Sequence, residues 1–108
     1  MAKFIKDGKS IDYANKGGAI IHYGDVVKLK SVIGVAAHDI DVNETGTVMI
    51  TGVYELPAES SEDLEVGEKV FWVSGNKVSK TDGGSDPVAG ILVEAKASTV
   101  ATALVKIG

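Results

Sequence analysis

The sequence has no cysteine. That removes disulfides, thiolate zinc sites and cysteine nucleophiles together, and leaves the redox compartment open. No run of about 18 apolar residues is present, so no membrane partner is expected. The opening Met1-Ala2-Lys3-Phe4-Ile5-Lys6-Asp7 lacks the apolar stretch of a secretory signal, and the expectation is synthesis in a cytoplasm. Aromatics are few: two Phe, one Trp and three Tyr. That scarcity argues against stacking on sugars or bases. The formal net charge is -4, whereas sequence-independent nucleic-acid binding needs a basic surface, so no nucleic-acid partner is expected either. Helical periodicity is nowhere sustained over three turns, and proline occurs only twice.

What is present points to strands. The 108 residues suffice for one domain, and the 44% hydrophobic content suits a folded one. Glycines recur between stretches rich in valine, isoleucine and threonine. Strands are expected at Ala19–His22, Val26–Leu29, Ser31–Ala36, Lys69–Val73, Lys77–Lys80, Val88–Glu94 and Thr99–Ile107. Thr47–Leu56 reads as the longest strand, with a bulge at Gly52 and an end at Pro57. Ser74-Gly75-Asn76 reads as a hairpin turn and Thr81–Pro87 as a loop. The acidic stretch Ala58–Glu68 has room for one helical turn begun by Ser60 or Ser61. In the last strand Val100, Leu104 and Ile107 cannot share one strict face, which predicts a bulge or twist. The expected fold is all-β: a small single-domain β-barrel or sandwich of short, mostly antiparallel strands. An extended N-terminal segment, residues 1–18, would precede a β-barrel domain at 19–108.

The motifs that suggest chemistry do not hold together. Gly8-Lys9-Ser10 copies the end of a phosphate-binding loop, but the glycine needed five residues earlier is Lys3 and no helix follows. Asp41-Val42-Asn43-Glu44-Thr45-Gly46 matches half of a calcium loop, yet its twelfth position, which should be a bidentate glutamate, is Gly52. His22 and His38, with Asp39 and Asp41, could form a metal or acid–base cluster only if the fold brought them together. No serine sits in a nucleophile elbow. The expectation is a protein that is not an enzyme, with no catalytic residue, no metal and no cofactor.

Phe71 and Trp72 are adjacent on one strand and must point to opposite faces. One belongs in the core; the other is core or an exposed anchor. Phe4 and Ile5 are apolar residues in a piece too short to form a core of its own. An arm that docks on a neighbour would look like this, and a plain first edge strand explains the piece equally well. Phe4, Ile5, Tyr13 and Trp72 are the candidate contact residues, the N-terminal three by adding a strand to a partner's exposed edge.

The opening Met1–Tyr13 resembles the start of a family of short phage and prophage proteins. Gly24-Asp25-Val26-Val27, Ile33-Gly34-Val35-Ala36, Gly52-Val53-Tyr54-Glu55-Leu56-Pro57, Val66-Gly67-Glu68-Lys69-Val70-Phe71-Trp72 and Ala89-Gly90-Ile91 follow in the family's order across essentially the whole chain. Members often carry a recombinase-like label, for which Gly8-Lys9-Ser10 gives no support; they resemble capsid cement, or decoration, proteins. The resemblance implies a structural protein on the outer surface of the mature phage head, assembled in the host cytoplasm. It implies the major capsid protein as partner, stabilisation of the shell against internal DNA pressure, and self-association, with a trimer favoured over a dimer. The competing expectation is a small β-barrel binding module for a peptide or carbohydrate.

Overall fold

Short strands form here because β-branched runs are cut every few residues by glycine- and Asx-containing turns. The computed structural model describes residues 2–5 and 8–108. Of the segment 1–18, Met1, Lys6 and Asp7 lie outside the described residues. The strands are β1 (Ser10–Ala14), β2 (Val26–Lys28), β3 (Ile33–Ala36), β4 (Thr45–Met49), β5 (Gly52–Pro57), β6 (Lys69–Val73), β7 (Lys77–Ser79), β8 (Val88–Leu92) and β9 (Thr102–Ile107). They make two antiparallel sheets, one in the order β1-β4-β3-β2 and the other β5-β9-β8-β6-β7. No helix occurs among the described residues.

The fold is all-β and of the sandwich kind; a closed barrel does not form. The second sheet curls until its outer strands meet, but only at one parallel bridge, Ala58 to Val78. There the Glu59 N–H donates to the Val78 carbonyl at 2.9 Å. The first sheet stays open, with β1 and β2 as its edges. Ser10–Ala14, in the N-terminal segment, pairs along its length with β4, from Ser10↔Met49 to Ala14↔Thr45.

Four local expectations are corrected. Thr47–Leu56 is not one strand: β4 ends at Met49, and Gly52, at φ 129°, begins β5 in the other sheet. The positive φ available to glycine turns the chain from one sheet to the next. Ala19–His22 forms no strand, only the pair Ile21↔Ile40, because glycine turns on both sides leave room for one rung. Residues 60–61 form a turn and no helical one. The irregularity expected in the last strand lies instead where β8 meets β6: Val70 pairs with Gly90 but Phe71 pairs with Val88, so Ala89 is extra. β9 begins late enough, at Thr102, for Ala103, Val105 and Ile107 to alternate inward without a break.

The sandwich core lies between the sheets. Val70, Trp72, Val78, Leu92, Val105 and Ile107 from the second sheet pack with Ile33 and Val35 from the first. A second cluster, Val27, Ile40 and Val48, covers the other face of the first sheet, joined by the half-buried Ile11, Tyr13, Ile21 and Leu29. All four residues of β3 are consequently buried. Gly34 is essential to that double packing, since a Cβ there would run into the Val48 side chain.

Asn15 fastens the outer cluster. It is buried, its side-chain amide donating to the carbonyls of Ala19 (3.0 Å) and Ile40 (2.9 Å) while its Oδ1 accepts from the Gly17 N–H (3.1 Å). Its backbone also links to Asn43 and Glu44. Asn15→Ala should therefore destabilise the fold by about 2–3 kcal/mol, since buried polar groups lose their partners. Denaturant titration at an unchanged m-value checks this; a loss within 0.5 kcal/mol, roughly the surface range, would show that water replaces the amide.

Candidate functional site

The residues suggestive of chemistry serve the backbone. Thr47 N–H donates to His38 Nε2 at 3.0 Å, so Nε2 is an acceptor and Nδ1 carries the proton, donating to the Asp39 carbonyl at 2.8 Å. Asp39 Oδ1 accepts from the Tyr23 N–H at 2.8 Å and lies 4.0 Å from His22 Nδ1. Asp25 accepts from the His22 N–H. These bonds shape turns. Among the described residues no three His, Asp or Glu side chains gather as a metal would require. Asp41–Glu44 is a turn closed by Glu44 N–H to the Asp41 carbonyl (3.0 Å), with Asn43 at φ 66°. Gly8 and Lys9 form an exposed turn leading into β1.

What the molecule offers instead is surface. Phe4 and Ile5 stand 80% and 76% exposed ahead of β1. Tyr13, on β1, is half-buried against the outer cluster, opposite Gly46. Trp72 is buried in the core at 6% exposure, with an edge on the open cleft lined by Val26, Leu56 and Pro57. The neighbouring Phe71 takes the outward side, half-buried, with the Lys69 ammonium 5.6 Å from its ring centre. Phe4 and Ile5 are thus exposed, whereas Trp72 is a core residue.

Other exposed apolar residues escaped the sequence reading. Tyr23, 75% exposed, borders an apolar cleft of about 280 Å³ between the sheets, lined also by Val35, Met49, Tyr54 and Leu56. An aromatic residue at a glycine turn was the available signal. On the outer face of the second sheet Val53, Lys106, Ile91 and Lys69 form one cross-strand row. Val53 is 56% and Ile91 43% exposed. In sequence these look like ordinary strand residues; only the register reveals that they share a row.

The acidic stretch 59–68 is well anchored. Leu64 and Lys96 exchange two backbone hydrogen bonds of 2.9 Å, and the Lys96 ammonium donates to the Glu62 carbonyl at 2.6 Å. Asp63 accepts from the Ser98 N–H, and Glu62 from Ser79 and Lys80. Glu59 meets the Lys77 ammonium at 2.6 Å. That hydrogen bond, against an opposing desolvation and aided by the lysine charge and Ser61, holds the Glu59 carboxyl below its ordinary range.

No curated protein and no solved structure matches the chain. A family model described as phage cement protein does match, over residues 5–107. The match spans most of the chain, and the chain belongs to the phage cement protein family.

Proposed function

We propose that this protein binds the outer surface of the mature phage head, bridging neighbouring copies of the major capsid protein and holding the shell against the pressure of packaged DNA. The observation that carries the contact is the pair Phe4 and Ile5, exposed at the start of the chain with β1 as a free sheet edge behind them. Burying both side chains on a partner would contribute on the order of 3–6 kcal/mol before ordering costs. An arm of this kind can add a strand to an exposed edge of a capsid subunit, main-chain bonds giving affinity and Phe4 or Ile5 filling a pocket. Tyr13 lies half-buried on β1. The protein acts in the virion and is made in the host cytoplasm.

Stabilisation follows if binding discriminates between shell states. A protein that binds the expanded lattice more tightly than the precursor shifts the shell toward expansion by its differential affinity. Self-association, with a trimer favoured, multiplies the attachment through effective concentration.

Co-sedimentation with expanded heads and with unexpanded precursor shells tests the reading. Saturable binding to expanded heads alone is expected. Deleting residues 2–5, which make no strand, should abolish that binding or weaken it at least about 100-fold, the order of about 3 kcal/mol, while the melting temperature stays within a few degrees. Equal binding to both shells, or full binding by the truncated chain, would overturn the respective part.

A further inference from the structure

We propose that the outer face of the second sheet is an interface between copies of this chain, receiving the acidic turn Glu65-Val66-Gly67-Glu68 of a neighbouring copy. This rests on the self-association proposed above and assigns it a surface.

The receiving surface is an apolar depression of about 280 Å³ lined by Lys69, Val88, Gly90, Ile91, Lys106 and Gly108. Ile91 is at its centre, paired in register with Lys69 on one side and Lys106 on the other. The two lysines consequently stand two strand spacings apart, about 9–10 Å. Neither forms an ion pair with a carboxylate side chain among the described residues. Lys69 reaches over Phe71, and Lys106 donates to the Gly108 carbonyl at 2.9 Å. Glu55 also lies on this face, diagonal to Lys106 across the β5–β9 pair.

The turn has the complementary pattern. Val66 is 66% exposed at its tip. Glu65 and Glu68 flank it as first and last residues, tied by Glu68 N–H to the Glu65 carbonyl (3.1 Å) and Glu65 N–H to Glu68 Oε1 (3.0 Å). The ends of such a turn lie within about 7 Å, a span that flexible lysine side chains can match. The turn is also held from below, since Gly67 N–H donates to the Leu92 carbonyl at 2.7 Å. An apolar tip between two carboxylates thus faces, on another copy, an apolar hollow between two ammonium groups. Desolvating Val66 and Ile91 together would supply the attraction, and the charges would set the register.

Sedimentation velocity of the purified protein over a wide concentration range is the test. The wild-type chain should form a discrete oligomer. Val66→Glu should weaken it by roughly tenfold or more, as should Lys69→Glu with Lys106→Glu, through unpaired and like charges. Adding Glu65→Lys and Glu68→Lys to the lysine-swapped chain should restore assembly, an outcome that a merely destabilised fold would not give. A wild-type monomer at every concentration would overturn self-association itself. An oligomer unmoved by Val66→Glu and by the lysine swap would overturn this surface alone. Neither outcome touches capsid binding, which is read separately with heads.

Discussion

Gly90→Ala is expected to cost about 3 kcal/mol or more, combining backbone strain with a steric overlap that cannot relax. Gly90 sits at φ 147°, where an L side chain is strained whatever the space. Here the space is also filled: a Cβ would meet the Lys106 carbonyl oxygen and lie 2.9 Å from its carbon and 3.1 Å from the Ile107 Cα. All three are backbone atoms of β9, so no rotamer change makes room. Relief requires β8 and β9 to part, and their pairing through Ile91↔Lys106 and Leu92↔Val105 lies in the middle of the second sheet. Domains of this size have about 5–15 kcal/mol in total, and each kcal/mol shifts Tm by about 4–8 °C. A drop of at least about 12 °C is therefore expected, with loss of soluble protein at 37 °C as its cellular form. Gly18→Ala is the control. No atom lies within 4 Å of its Cβ and its φ is not positive, so it should be neutral or slightly stabilising. A Gly90→Ala chain melting like the Gly18→Ala chain would refute the close approach of β8 to β9.

How far the sequence reveals this architecture depends on which physical cue marks each element. β6, the Ser74–Asn76 turn and β7 are legible because alternation and turn chemistry act within a few residues. The division at Gly52 is not. A glycine inside a β-branched run signals either a bulge or a change of direction, and only the pairing of β5 with β9, some fifty residues later, decides between them. Gly90 hides its importance in the same way, because the atoms that forbid a side chain belong to Lys106 and Ile107. The exposure of Phe4 and Ile5 was legible, since apolar residues isolated among lysines have nothing local to bury against. The row Val53–Lys106–Ile91–Lys69 was not, as it joins three strands distant in sequence.

Trp72→Ala is expected to cost about 3–5 kcal/mol, the usual loss for a large core aromatic, and to abolish head binding only by unfolding the protein. The sequence requires Phe71 and Trp72 to point to opposite faces but contains nothing that says which one turns inward. The register does: Trp72 pairs with Val78, itself fully buried, and joins Val70 and Leu56 on the inner face. As the only tryptophan in the chain, it makes intrinsic fluorescence a direct reporter of that core. Trp72→Phe separates packing from contact. It keeps an aromatic ring in the site and should cost less than the alanine change, leaving a folded protein at room temperature. That folded variant should bind expanded heads as the wild type does, whereas removal of residues 2–5 should lose binding with the core fluorescence unchanged. If Trp72→Phe folded yet failed to bind, the indole would have to reach the capsid from its buried place, and the division between a closed core and a contacting arm would fall.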